Sequence, residues 1–215
     1  MTSYEHKVKN IYLWCPAYHG EWTFNQTTLP EWWEMTSNAF NITTSWLTYK
    51  NGGAVYKSIW ARDINNALIT CTFKYKNTYS GWSATRYDIT QYPTNINDSD
   101  NRYVLEAVRL QWNSSYRDIN ISWPDHVGYK SSQKLPSDVS WVVCTSTSTF
   151  NTKTWEWSLN VVRDDTSADV CNASWTNATL ESYNYPTTWD YYIQLTSVTS
   201  NTAVIYWCTI DIEQL

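Results

Sequence analysis

The stretch Thr154-Trp-Glu-Trp-Ser-Leu-Asn-Val-Val162 alternates with a period of two. Trp155, Trp157, Leu159 and Val161 fall on one side, Glu156, Ser158 and Asn160 on the other. Successive side chains of a strand point to opposite faces, so the pattern is that of a half-buried β-strand. Two tryptophans on the inward side are a large volume to hide. They either fill a core or line a pocket.

Similar segments recur along the chain. Strand patterns run over 10–15, 44–49, 54–60, 67–75, 82–89, 103–112, 119–123, 140–145, 191–196 and 203–212, about eleven in all with the opening one. Asn51-Gly52-Gly53 reads as a hairpin turn joining two of them, because Asn-Gly readily adopts the positive φ pair of a two-residue turn. Pro16-Ala-Tyr-His-Gly20 reads as a turn. Leu29-Pro-Glu-Trp-Trp-Glu-Met35 is the one place where a short helix competes, with Pro30 at its first turn. No strand–helix alternation, fixed-period repeat or composition break appears. The expectation is therefore a single all-β domain over 1–215, an antiparallel β-sandwich of jelly-roll type, with a lipocalin-like barrel as the alternative.

Composition narrows the function. The net charge of −5 and the absence of basic clusters argue against a nucleic-acid partner. No apolar run approaches the ~20 residues of a membrane-spanning helix. The chain holds 15 Trp and 17 Tyr but only 4 Phe, an excess of rings that carry a polar tip. Seven Asn-x-Ser/Thr acceptors occur, at Asn25, Asn41, Asn97, Asn113, Asn120, Asn172 and Asn177. Chance pairing of these residue types gives about four. Residues 1–7 lack the apolar stretch of a signal peptide. The acceptors and five cysteines point to a secreted or secretory-pathway glycoprotein whose signal lies outside this sequence. An odd number of cysteines leaves one over. Cys144–Cys171 is the expected disulfide, while Cys71 and Cys208 sit in apolar strands as small hydrophobes.

Nucleophile elbows, zinc motifs and phosphate loops are missing, and neither a metal nor a cofactor is expected. Asn95-Ile-Asn-Asp-Ser-Asp100 alternates oxygens but lacks the central Gly of a calcium loop. The strand Tyr103–Trp112 is more pointed, since Glu106 and Arg109 interrupt apolar rows on its two faces. An unpaired buried ion is costly, so each needs water, a partner or a ligand.

The leading functional expectation is a small-molecule-binding protein acting as a cofactor-free cyclase or pericyclase, for example of Diels–Alder type. It would hold an apolar natural-product intermediate in an aromatic-lined pocket and fix its reactive conformer. Arg109 and Glu106 would supply the polar groups, and Trp112, Trp155, Trp157 and Tyr206 the walls. The alternative is a glycan-binding, lectin-like module in which loop-borne rings such as Trp32, Trp33, Trp82 and Trp189 stack on sugars.

Overall fold

The computed structural model describes residues 17–36, 38–50, 53–59, 66–77, 83–92, 103–112, 118–121, 129–132, 141–154, 156–176, 190–197 and 203–215. Within them lie β1 (Ala17–Thr23), β2 (Glu34–Met35), β3 (Phe40–Ile42), β4 (Leu47–Tyr49), β5 (Val55–Ser58), β6 (Ala67–Asn77), β7 (Ser83–Tyr92) and β8 (Tyr103–Trp112). There follow β9 (Asp118–Ile121), β10 (Tyr129–Ser132), β11 (Val143–Asn151), β12 (Glu156–Arg163), β13 (Asp169–Thr176), β14 (Asp190–Ser197) and β15 (Ala203–Gln214). One antiparallel sheet of eight strands runs β13-β12-β11-β6-β15-β4-β3, with β1 also on β15. The other, of seven, runs β10-β9-β8-β7-β14-β5-β2. Both are open, so the molecule is a sandwich and not the alternative barrel.

The core lies between the sheets. Ile69, Phe73, Phe150, Leu159 and Ile210 come from the larger sheet, Val55, Tyr191, Ile193 and Leu195 from the smaller. All four phenylalanines are buried, at 2% exposure or less. Phe has no polar atom to satisfy and fills this layer together with the buried rings of Trp33, Tyr49, Tyr75 and Tyr191. Small residues interleave with the large ones: buried Ser146 stands opposite Phe73 and Val161, and buried Ser148 opposite Cys71 and Leu159. The Ser146 hydroxyl finds no hydrogen-bond partner among the described residues.

The opening stretch forms β12, and Leu159 and Val161 are buried as its alternation requires. Trp157 occupies the position between Phe150 on β11 and Trp175 on β13. Trp155 lies outside the described residues. So do the strand expected at 10–15, the 95–100 stretch, and Trp82 and Trp189.

Local expectations fail in three places. Residues 17–20 are not a turn; they open β1, paired with β15 from Ala17–Glu213 to Thr23–Trp207. Gly20 belongs there because the Trp22 indole lies over it. A Cβ at Gly20 would come within 2.2 Å of the ring, so the strand is closed to larger residues at that point. The segments flanking Asn51-Gly52 do not form a hairpin either. β4 pairs with β3 and β15 in one sheet, while β5 pairs with β14 and β2 in the other. The chain crosses between the layers here, and Gly53 takes the positive φ of 126° that the crossing needs. Finally, 30–33 is a turn and not a helix, closed by the Trp33 N–H donating to the Pro30 carbonyl at 3.1 Å.

The Cys144–Cys171 disulfide is also corrected. Cys144 stands on β11 opposite Arg163, and Cys171 on β13 opposite Val161, with β12 between them. Two strand spacings amount to roughly 10 Å, well beyond the ~4.4–6.8 Å between the Cα atoms of a bridged pair. Cys71 and Cys208 are buried in the core as expected, and burial pushes the Cys208 thiol pKa far up, so it packs as a small neutral group.

Candidate functional site

Strand register on the smaller sheet sorts its residues by face. On β5, Val55 and Lys57 are buried while Tyr56 and Ser58 are half-buried on the opposite side. On β14, Tyr191, Ile193 and Leu195 are buried in the core, and Tyr192 and Gln194 alternate with them. Tyr192 pairs with Ser58 and Gln194 with Tyr56, so these four share the outer face. The two tyrosine rings meet edge to face with centroids 6.2 Å apart. At the sheet edge, Glu34 of β2 stands opposite Tyr56, and the Tyr56 hydroxyl donates to Glu34 Oε2 at 2.8 Å. Partial burial, and then the Glu34 carboxylate, push the Tyr56 pKa up to about 12. The phenol therefore stays a neutral donor and acceptor across the physiological range. Gln194 lies on the same side but is buried, at 5% exposure. The Ser58 hydroxyl has no partner among the described residues.

Next to this edge the chain displays Trp32. The Pro30–Trp33 turn puts Trp32 at its third position with φ 68°, a conformation that favours Gly or Asn. A bulky residue there costs on the order of 1–2 kcal/mol. The ring is 55% exposed, so its own burial does not repay that cost. The turn is held from below. Trp33 packs edge to face on Trp22 and Phe24, at 5.3 and 5.2 Å. Lys57 Nζ donates to the Glu31 carbonyl at 3.3 Å and lies 5.7 Å from the Trp22 ring. Burial pulls the Lys57 pKa down. Glu34 is two residues from Trp32, at most ~7 Å along the backbone, so the displayed indole lies next to the sheet edge that carries Glu34. Neutral hydrogen-bonding tips set among ring faces suit a ligand with apolar C–H edges and many hydroxyls.

The residues singled out from the sequence are distributed over both sheets. Glu106, Arg109 and Trp112 are on β8 of the smaller sheet, opposite Ile89, Arg86 and Ser83. Trp157 and Tyr206 are on the larger sheet, with β11 and β6 between their strands. Tyr206 sits at a bulge in β15, edge to face with the exposed Trp46 at 6.0 Å. The Tyr56–Tyr192–Glu34 constellation was missed, because a pairing between residues 136 positions apart leaves no local signal. The alternation of Val55-Tyr-Lys-Ser58 already put Tyr56 opposite an apolar side chain.

On the larger sheet, His19 and Asp211 are register partners joined by a side-chain hydrogen bond on the outer face. That bond, then the charge of Asp211, raises the His19 pKa above 6.5. A histidine with a raised folded pKa adds stability that is fully present below its unfolded value of ~6.5 and lost as pH rises through the folded value. His19 is 64% exposed, so the effect on stability is small. NMR titration of the ring protons is expected to give a His19 pKa above 6.5 in the native protein and close to 6.5 in Asp211→Asn. Identical values in the two would mean that the pair does not form in solution. Among the described residues, no three His, Cys, Asp or Glu side chains converge as a metal site would require.

No protein-family model and no curated protein sequence matches the chain. Its fold is shared by many solved structures. The winged bean acidic lectin aligns over 91% of this chain and 98% of its own at TM-score 0.62 and 12% identity. Arcelin-5, a lectin-like defense protein from Phaseolus vulgaris, aligns over 92% and 99% at 0.62 and 10%. The CBM2 module of the evolved Dit of Lactobacillus casei BL23 phage J-1 aligns over 91% and 96% at 0.63 and 11%. The chain thus shares the β-sandwich fold of these structures. At such identities the likeness extends to the fold alone.

Proposed function

We propose that the protein is a lectin-like saccharide-binding module whose site is the outer face around Tyr56, Tyr192 and Glu34, with Trp32 at its edge. The observation that carries this reading is the exposed indole held at positive φ beside a ring pair bonded to a carboxylate. The exposed indole itself does not repay the strain by burial, and such strain concentrates at binding sites. The fold neighbours favour the same reading, since they include lectins in complex with methyl-α-D-galactose, galactose and GalNAc. The fold neighbours give no such support to the cyclase expectation.

We further propose a secretory route with N-glycosylation. The acceptors Asn25, Asn41 and Asn172 are all exposed, as a glycosylated asparagine has to be. The other four acceptors lie outside the described positions or at positions whose side chains are not described.

Trp32→Gly tests the site directly. The variant is expected to unfold at an equal or higher temperature, because glycine relieves the positive φ. It is also expected to bind saccharide roughly fivefold to tenfold more weakly, by loss of one stacking ring. Circular dichroism melting and titration of the remaining tryptophan fluorescence give both numbers. A variant that melts several degrees lower and binds unchanged would make Trp32 a structural residue.

A further inference from the structure

We infer that the glycan on Asn41 lies back on the chain's own rings, its first sugar against Trp46 and Tyr206 on the outer face of the larger sheet. The inference rests on the glycosylation reading above and on strand register. β3 and β4 pair as a hairpin, with Asn41 opposite Thr48 and Ile42 opposite Leu47. Phe40, Leu47 and Ile205 belong to the core. Asn41, Trp46 and Thr48 alternate with them, and Asn41 and Trp46 are exposed. β15 joins the same face. Its Ile205 stands opposite Leu47, and one step along Tyr206 meets Trp46 edge to face with centroids 6.0 Å apart. Trp46 is therefore the diagonal neighbour of Asn41 across the hairpin. Such neighbours are ~7–8 Å apart, a gap that long or aromatic side chains close, and a sugar on the Asn41 amide reaches further than any side chain.

The acceptor threonine builds this display. Thr43 is the third residue of Asn41-Ile42-Thr43, and it also closes the turn that presents the indole. Its N–H and its hydroxyl both donate to the Trp46 carbonyl, at 3.0 and 2.9 Å. Its hydroxyl oxygen accepts from the Ser45 and Trp46 N–H groups at 3.3 and 3.1 Å. Trp46 is thus anchored at its backbone while its side chain stays 39% exposed. Thr43, Thr44, Ser45 and Thr48 beside it are small, uncharged hydroxyl residues. A ring face with hydroxyls around it suits a pyranose, whose C–H side packs on the indole while its hydroxyls stay wet. β3 ends the strand order of its sheet, so a glycan there also shields an edge open to pairing with another chain. Attachment joins Asn41 Nδ2 to the anomeric carbon of a lipid-linked oligosaccharide. The amide loses one proton and the lipid diphosphate leaves.

The test uses the full chain secreted from a eukaryotic host, with occupancy of Asn41 read by peptide mass spectrometry. Melting is compared for the native chain, Asn41→Gln, Trp46→Ala and the double variant. Loss of the glycan is expected to lower the melting temperature by about 2–4 °C when Trp46 is present, the scale of one ring contact in a chain of this length. In the Trp46→Ala background the same loss should cost under ~1 °C, because the cycle isolates the contact between sugar and ring. Trimming the glycans to their first sugar should preserve the coupling, since that sugar makes the contact. NMR of the native chain needs no ring variant to fold: the acetyl methyl of the Asn41-linked sugar is expected upfield of those on the other glycans, shifted by the indole. Equal melting losses in the two backgrounds, or a methyl at the free-glycan position, would overturn the inference. Either result leaves the glycosylation reading intact and the ring pair open to an added ligand or a second chain. An unmodified Asn41 would remove the glycosylation reading at this position and the inference with it.

Discussion

Tyr192→Ala is expected to weaken saccharide binding by about 2 kcal/mol, roughly thirtyfold, with little change in melting temperature. Tyr192 stands on the outer face between Ser58 and Thr90, and its ring contributes one half of the pair with Tyr56. Truncation removes the stacking surface and unsupports the Tyr56 ring, whose hydroxyl reaches Glu34. The core is built from the other side of β14, from Tyr191, Ile193 and Leu195, and is left in place. Tyr192→Phe separates ring from hydroxyl: if stacking dominates, phenylalanine should retain most of the affinity. Calorimetric titration against one oligosaccharide resolves the three proteins. An alanine variant that binds as tightly as the native chain would remove Tyr192 from the site.

The second large effect concerns stability. Phe73→Ala is expected to lower the unfolding free energy by about 3–5 kcal/mol, the range for truncating a buried phenylalanine. Phe73 is 1% exposed and stacks on Tyr75. Its register neighbours are Ser146 on β11 and Cys208 on β15, both small. Neither side chain can swing in to fill the void, so the cavity term adds to the lost transfer energy. Denaturant unfolding followed by tryptophan fluorescence measures the difference. A loss below ~1.5 kcal/mol would mean that this stretch of the sandwich is loosely packed. Saccharide affinity under native conditions should be unaffected, since Phe73 lies in the other sheet.

The contrast between these residues explains what could be read in advance. Fold class followed from local signals: β6 and β11 alternate cleanly between buried and half-buried positions, and period two needs no knowledge of partners. Turn chemistry was less faithful. Asn51-Gly52 carries the residues of a hairpin turn, yet the flanking strands enter different sheets, because pairing is decided by where apolar faces find cover and not by the turn alone. Gly20 looked like a turn residue and is a strand residue, since the reason for its missing side chain is a ring two positions later in the same strand.

The site was less visible still. Ring excess in the composition pointed to binding, but composition does not separate core rings such as Tyr191 from displayed ones such as Trp32. Arg109 attracted notice as a charge within an apolar row. Its register neighbours, Arg86 on β7 and Asp118 on β9, did not, because their opposition depends on a register that only the assembled sheet defines. Trp32 sits in a stretch that reads equally well as a helix start, and its positive φ is a property of the folded turn.

The most direct measurement is calorimetric titration of the native chain with a panel of neutral and acidic oligosaccharides, repeated with Tyr192→Ala. Saturable binding of at least one saccharide that is lost in Tyr192→Ala, with both proteins equally folded, is the predicted result. Saturable binding that survives the substitution unchanged, or no binding by the native chain across the panel, would contradict the assignment of this face as a saccharide site.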